Sequence, residues 1–543
     1  MTMSRPWVAA AAVVLALGAG SIARAATSDT EDDTQDEAKT SPAPSPKAKA
    51  APKRAAKQDT TTSEVKADTS NADDSKPGDA KSGENLDAKA SDAKASDAKA
   101  DDAKGDDSKA DETDNEKPVP VAAKPNRPLS VEVNGWKASV YGFAELDFMQ
   151  DSTQSYVEGS GNTTLARPNT LAGDNPRSQM TARNSRFAFM AAAPEMNGIK
   201  ASSVLEMDFF GNQPVEATQN DFYTNGPLRM RLFYLKLETP IVDVIAGQYH
   251  DLFAWGSFGF YPNTDAFLPT LGEVYHRNPQ LRLTKTLHAG AVDLQVAVAA
   301  VRPAGRDSGY PDGQGGVRLA VLPWEGANTQ GAGRPIVAPM ALGISGIVRR
   351  LSVNDFSATP SNPQTATAWG VAGNLFLPII PARGQDMSNA ISVTIEGTMG
   401  TGISDLYPGL TGGVGFPQLP NPNNDLAVPT YIPNIDAGIA TFDGSALLQT
   451  VNWQTVVGNL QYHLPIADGK KLWISGTYSF LRSTNVAQLV PQAGRPYAWN
   501  KGQYADGNLW LALTQAVQLG LSAQWTQQTF LDGVQGANLR GEG

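Results

Sequence analysis

Charged side chains at alternate positions are the residues of this sequence whose types and spacing could do chemistry. Arginines alternate in LRMRLFYLKLE, which starts at Leu228, and acids alternate in IKASSVLEMDFF, which starts at Ile199. Alternation with a period of two places such charges on one face of a β-strand. When a barrel lies in lipid, that polar face surrounds a lumen in which rings of charge select among solutes. We expect a basic wall formed by Arg186, Arg229, Arg231, Arg277 and Arg282, opposite an acidic wall formed by Glu145, Asp147, Glu206, Asp208, Asp265 and Glu273.

These charges also have a purely structural interpretation, in which they pair with one another, hold a loop in place and solvate the wall. For any single residue this interpretation is the simpler one. Acids and bases that face each other across a narrow waist would, as a set, shape the permeation of solutes.

The elements that must position these charges are contained in residues 228–287. This stretch is predicted to form strand, tight turn, strand, long loop and strand. In its first strand, Arg229, Arg231 and Phe233 share one parity, whereas Leu232 has the opposite parity. The loop over 254–278 is rich in aromatic residues and exceeds the roughly 12 to 15 residues of an ordinary connection. We expect this loop to fold inward and narrow a pore.

A hydrolytic or metal site is the alternative for part of the same stretch. His250, Asp251, Glu273 and His276 could be drawn as such a group. The chain has only four histidines, and it contains no HExxH motif, no GxSxG motif and no clustered ligand spacing. The two histidines are therefore predicted to form hydrogen bonds at strand ends. We expect no enzyme activity, no catalytic or metal site and no cofactor.

Composition restricts the class of protein. The 543 residues include no cysteine, which suits the bacterial envelope but also many other proteins. The 44 lysines and arginines against 55 acids give a net charge of −11, so a nucleic-acid partner is not expected.

The first 128 residues differ from the remainder. Arg5, the apolar run Trp7–Ala19 and the small residues around Ala25 predict a secretory signal peptide over 1–25, too short for a spanning helix. Residues 26–128 are rich in Ala, Lys and Asp and have almost no large apolar side chain. Such a composition predicts a disordered periplasmic segment, with the cell wall as a candidate contact.

Alternation continues through residues 129–543, in short segments separated by both tight turns and long Pro/Gly-rich loops. This pattern predicts an all-β fold, a transmembrane antiparallel β-barrel of about 16 strands. The alternative is a secreted or surface-exposed β-rich adhesin without a channel. That class would require repeated sandwich domains of about 100 residues, and the sequence shows no such repeat.

Several blocks of the sequence resemble the trimeric outer-membrane porins of the DcaP-like family. They are ARNSRFAFMAAAPEMNGIKASSVLEMDFFGN, LRMRLFYLKLE, IAGQYHDLF and YHRNPQLRLT, and later blocks such as DMSNAISVTIEGTMGTGISDLY keep the same order. The resemblance extends over 135–540. It implies a 16-stranded barrel in outer-membrane lipid, a homotrimer, an inward-folded third loop and passive diffusion of small solutes, often anionic ones such as dicarboxylates.

Two regions depart from the family pattern. The N-terminal segment is of low complexity where a short coiled-coil segment is expected. At the other end, the family resemblance makes Asn538 and Arg540 the first residues of the closing strand, and the printed sequence stops at Gly543 without a terminal Phe. A barrel in lipid must close, because an open strand edge leaves backbone groups unsatisfied. Either about ten closing residues are missing, which we expect, or closure occurs differently.

Overall fold

The fold is known from a computed structural model, which describes residues 129–156, 164–211, 226–255, 270–305, 308–329, 334–354, 363–407, 438–443, 447–490 and 492–543. The predicted signal peptide, the low-complexity segment and Asp265 lie outside these residues and remain expectations. Within the described part of the chain, no helix is long and apolar enough to cross a membrane.

Strands dominate the described residues. They are β1 (Leu129–Val133), β2 (Trp136–Phe143), β3 (Asp147–Asp151), β4 (Arg177–Thr181), β5 (Arg186–Ala192), β6 (Lys200–Asp208), β7 (Arg229–Glu238), β8 (Asp243–His250), β9 (Arg277–Ala289), β10 (Val292–Val301), β11 (Asp312–Asn328), β12 (Ile336–Asn354), β13 (Pro363–Ile380), β14 (Ile391–Thr401), β15 (Ala440–Phe442), β16 (Leu448–Thr450), β17 (Asn452–His463), β18 (Leu472–Ser483), β19 (Trp499–Ala512), β20 (Gln518–Phe530) and β21 (Gln535–Glu542). Short helical turns occupy Leu171–Asp174, Ser404–Leu406, Val486–Leu489 and Gln492–Tyr497.

Nineteen of these strands form one antiparallel sheet, and β15 and β16 pair separately. From β5 to β14 and from β17 to β21, each strand pairs with the next one along the chain, and β14 pairs with β17. The last strand, β21, also pairs with β3, and β3 pairs with β4. Tight turns join several neighbouring strands. At the β1–β2 turn both Asn134 and Gly135 have positive φ, as a type I′ hairpin turn requires.

The strand count of 19 differs from the expected 16 for a local reason. A three-residue break separates β2 from β3, and a four-residue break separates β4 from β5. Strand β2 pairs with β5, and β3 pairs with β4. Strands β2 and β3 are therefore two halves of one interrupted strand, and β4 and β5 are two halves of the strand beside it. These two breaks and the additional strand β1 account for the excess of 19 strands over the expected 16.

The two faces of the sheet differ in polarity, as the alternation predicts. Apolar side chains such as Ile344 and Leu521 are 59% and 62% exposed, whereas the polar Gln528 and Glu396 on the other face are fully buried. A soluble β-sandwich would bury its apolar face instead. The sheet therefore exposes its apolar face and buries its polar face.

One expectation about parity is wrong. Leu232 is only 7% exposed and Phe233 is 52% exposed, the reverse of the prediction. The cause is a β-bulge: Glu206 pairs with Leu232 and Met207 with Met230, so Arg231 is an extra residue in β7. The bulge reverses the parity of the residues that follow it.

Candidate functional site

A cluster of arginines and acids lies on the polar face of β5, β6 and β7. The register places Arg186, Asp208 and Arg229 in one row across the three strands. The Arg229 guanidinium lies 2.6 Å from the Asp208 carboxylate, and Arg231 lies 2.8 Å from Glu206 and 3.1 Å from Asp208. Arg186 approaches Glu206 to 3.5 Å. We call these five residues, together with Arg277, the arginine cluster.

The arrangement differs from two opposite walls. Glu206 and Asp208 belong to the strand between those that carry the arginines, so these acids pair with their neighbours instead of facing them across a gap. Neighbouring strands lie only about 5 Å apart, and opposite charges on adjacent strands at the same height therefore meet. Because four guanidinium groups surround two carboxylates, the cluster has an excess of positive charge.

Tyr275, which precedes β9, connects the cluster to the long loop. Its phenol oxygen accepts hydrogen bonds from Arg231 at 2.8 Å and from Arg277 at 3.2 Å. Burial would raise the pKa of Tyr275, but the charges of Arg231, Arg277 and Arg186 lower it to about 8. Sequence reasoning missed Tyr275, although its position two residues before Arg277 could have identified it.

Arg282 lies apart from these ion pairs. Its Nε donates to the side chain of Gln280 at 3.0 Å, and its terminal nitrogen donates to the backbone carbonyl of His250. Its guanidinium stacks over the ring of Tyr249 at 5.3 Å. Arg282 thus supports the end of β8 beside the loop.

The loop between β8 and β9 begins against the polar face of β11 and β12. The backbone N–H groups of Leu252 and Phe253 donate to the side-chain oxygen of Gln314, at 2.7 and 2.9 Å. The N–H of Ala254 donates to the hydroxyl of Ser345 at 2.8 Å. Both acceptors are buried. These strands are distant in the sheet from β8, so the loop starts by crossing the polar face.

The loop returns against β14 and its neighbours. The N–H of Val274 donates to Glu396 at 2.7 Å, and the N–H of Tyr275 donates to the carbonyl of Leu406 at 3.2 Å. Leu271 packs so closely against Gly502 that a Cβ there would lie 2.8 Å from it. Residues 256–269 lie outside the described part of the chain, so the path between these two anchored ends stays a prediction.

Glu273, in the returning part of the loop, is buried among other acids. It is 2% exposed, and burial together with the nearby Glu396 and Asp506 holds its pKa well above the usual range. Glu273 is therefore protonated at pH values at which an exposed glutamate carries a charge. Its contribution to an acidic wall is smaller than the sequence suggests.

Glu145 and Asp147 lie at the break between β2 and β3. The Glu145 carboxylate accepts a hydrogen bond from Asn184 at 2.6 Å, and its backbone N–H donates to the hydroxyl of Ser185 at 3.0 Å. Asp147 is 5% exposed at the start of β3. Glu145 thus bonds to the connection between β4 and β5, and Asp147 lies on β3, which pairs with β4.

His276 and Asp251 join the two ends of the loop. His276 Nδ1 lies 3.2 Å from the Asp251 carboxylate, and the Asp251 N–H donates to the carbonyl of His276 at 3.1 Å. Burial lowers the pKa of His276, but the hydrogen bond and charge of Asp251 outweigh it and raise the pKa. His276 thus has the hydrogen-bonding role expected of it. Among the described residues, no group of three or more His, Cys, Asp or Glu could hold a metal ion.

A buried ion-pair network that sequence reasoning missed lies on β11 and β12. Arg349 makes two hydrogen bonds of 2.6 Å to Asp405 and one of 2.7 Å to Asp312, and its side chain is 1% exposed. The position of Arg349 in an alternating segment was the available signal. Asp405 lies in a helical turn after β14, where alternation gives no information.

Comparison with known proteins is consistent with this architecture. No protein-family model matches the chain, and no curated protein matches its sequence. The crystal structure of the outer membrane channel DcaP of Acinetobacter baumannii is similar, with a TM-score of 0.50 and 15% identity over 78% of this chain and 99% of that one. OprB of Pseudomonas putida has a TM-score of 0.42 and 11% identity over 74% of this chain and 93% of that one. The anion-selective porin from Comamonas acidovorans has a TM-score of 0.40 and 9% identity over 75% of this chain and 98% of that one.

The likeness to the DcaP channel confirms the resemblance expected from the sequence, at the level of the fold. The other two likenesses have TM-scores below 0.5 and add no weight.

Proposed function

We propose that this protein is an outer-membrane porin through which small hydrophilic solutes diffuse passively. The arginine cluster on the inward polar face, connected through Tyr275 to a loop that crosses that face, is the observation that supports this function. A polar face that points inward and carries charge is what a water-filled lumen requires. The fold shared with an outer membrane channel supports the same location.

The proposal includes a barrel of 16 strands that closes between β21 and β3. Their register runs from Arg540 opposite Asp151 to Glu542 opposite Met149, and the backbones of Phe148 and Gly543 exchange two hydrogen bonds of 2.9 and 3.0 Å. Asn538 and Arg540 were expected to begin a closing strand; they lie instead within β21, which begins at Gln535, and both bond to Asp151. Closure satisfies backbone groups that an open edge would leave exposed to lipid.

The permeating solutes are proposed to be anionic, with dicarboxylates as the representative class. The excess of guanidinium groups in the arginine cluster supports this preference, because a charge acts strongly within a narrow, low-dielectric passage. The negative net charge of the whole chain has little effect there, since charges more than about 8 Å away are screened at physiological salt.

Three further parts of the proposal come from the sequence and the resemblance. The protein is exported by a cleaved signal peptide over 1–25, residues 26–128 form a periplasmic segment that contacts the cell wall, and the barrel domain 129–543 assembles as a homotrimer. No step of the proposed function requires a cofactor or a chemical reaction.

Planar-bilayer conductance under a salt gradient tests the channel and its preference together. We expect stepwise conductance and a reversal potential that indicates anion preference. The variant Arg229→Ala/Arg231→Ala should shift that potential towards cations, because it removes two of the four guanidinium groups. Clear cation preference that the double variant leaves unchanged would show that the arginine cluster does not govern permeation.

Gel mobility separates the porin from the adhesin alternative. A barrel in detergent migrates differently before and after boiling, because its closed hydrogen-bond network resists denaturation until it is heated. Identical mobility of boiled and unboiled samples would favour a β-rich surface protein without a channel.

A further inference from the structure

The end of the β11–β12 hairpin bends across the polar face of the sheet. The register of the two strands slips between Val321 and Glu325, so that three residues of β11 have no partner in β12. Beyond this bulge the strands pair again, from Glu325 with Pro339 to Asn328 with Ile336. A bulge bends the strand that carries it, and here it turns a paired hairpin end out of the line of the sheet.

The bent hairpin lies over three strands that do not pair with β11. A Cβ on Gly326 would lie 2.5 Å from the side chain of Pro378 on β13 and 3.1 Å from that of Ser392 on β14. The Ser392 hydroxyl donates to the carbonyl of Ala327 at 2.5 Å. Farther on, the N–H of Thr329 donates to the side chain of Gln461 on β17 at 3.0 Å.

The side chains that bond to the hairpin belong to the buried polar face of the sheet. Ser392 and Gln461 are at most 1% exposed and alternate with exposed apolar residues such as Leu460. Arg334, before β12 begins, donates to the backbone carbonyls of Thr514 and Val517 in the β19–β20 turn. The hairpin thus has contacts from β13 to the turn after β19.

The inner face between these contacts is filled. His463, Trp473 and Trp510 form a row across β17, β18 and β19, with parallel rings whose centroids lie 6.0 and 6.1 Å apart. None of the three is more than 4% exposed, although all lie on the polar face. Little of this part of the face is open to water.

We propose that the bent end of the β11–β12 hairpin, in its described residues 322–329 and 334–340, forms a second constriction of the channel, which limits the size of the solutes that leave it. The β8–β9 loop, the expected first constriction, arises at the opposite edge of the sheet, since it follows β8 whereas the hairpin follows β11. Solutes would pass the arginine cluster and then the hairpin. This inference rests on the proposed channel function.

Shortening the hairpin tests the inference. Gly326 pairs with Ala338, so replacing residues 327–337 with Asn-Gly leaves a two-residue turn with the correct register. We expect single-channel conductance to rise about two-fold, which is the increase when one of two equal resistances in series is removed. We also expect larger neutral polymers to enter the channel.

A point variant gives a second measurement in case the shortened protein fails to fold. Gln461→Ala removes both hydrogen bonds between β17 and the backbone of Thr329 and should produce brief excursions to the higher conductance level. Gln454→Ala is the matched control, on the same strand but bonded to Arg482 instead of the hairpin.

The outcomes separate the inference from the function on which it rests. If the wild-type channel conducts ions and both hairpin variants have its conductance and its size limit, the second constriction is disproved and the porin stands. If the folded wild-type protein conducts no ions, the porin itself is disproved, and the inference with it.

Discussion

Raising the pH through 8 should weaken the anion preference of the channel, and Tyr275 should be the cause. The two guanidinium donors of its phenol oxygen, at 2.8 and 3.2 Å, stabilise the phenolate. A pKa lowered from 10.0 to about 8 corresponds to about 2.7 kcal/mol in favour of that form. The neutral phenol therefore predominates at pH 6.5, and the phenolate predominates at pH 9.5.

The charges around Tyr275 determine the direction in which the anion preference changes. Each phenolate adds one negative charge to a cluster of four guanidinium groups and two carboxylates, so the net positive charge that attracts anions falls by about half. Tyr275→Phe retains the ring and removes the titrating oxygen. Between pH 6.5 and 9.5 the variant should therefore lose less of its anion preference than the wild type does.

The measurement is the reversal potential of both proteins between pH 6.5 and 9.5, under the same salt gradient. His276, whose pKa is raised by Asp251, titrates in both proteins, so the difference between them isolates Tyr275. If the wild type and Tyr275→Phe lose anion preference in parallel, Tyr275 is not the group that titrates, and this account of the cluster is wrong.

Three further predictions concern the stability of the fold, the noise of the current and the assembly of the protein. Arg231→Ala should destabilise the folded protein by about 3 to 5 kcal/mol in urea titrations, because it leaves two buried carboxylates with fewer partners; Arg167→Ala, which removes an exposed pair, should cost less than about 1 kcal/mol. Glu396→Ala should make the current noisier by freeing the N–H of Val274, whereas Glu396→Gln, which retains an acceptor, should not. Deleting residues 27–128 should leave trimer stability and conductance nearly unchanged, and failure of that variant to assemble in detergent would show that the segment folds onto the barrel.

The sequence predicted the strands and the face on which most charges lie, because both depend only on alternation. It could not predict the bulge at Arg231, because no residue type in this strand marks the position of an extra residue. Nor could it predict that Glu206 and Asp208 pair with arginines on adjacent strands, because pairing depends on register.

The bend of the β11–β12 hairpin could not be predicted from the sequence either. Its cause is a slip of register after Val321, and its partners, such as Gln461, lie more than a hundred residues away. Contacts of this kind are decided by where distant strands are placed in the sheet. Alternation describes each strand alone and carries no information about contacts between distant strands.

The pairing of β21 with β3 has a consequence for the order of folding. Almost every other pairing in the sheet joins neighbours along the chain, so those hairpins form with little loss of chain entropy. Asp151 and Arg540, whose ion pair has both side chains at most 1% exposed, are 389 residues apart. Bringing such distant ends together costs about 5 kcal/mol of loop-closure entropy when the chain between them is disordered. The hairpins must therefore assemble first, and the Asp151–Arg540 contact forms among the last, when the intervening strands have already brought the two residues close.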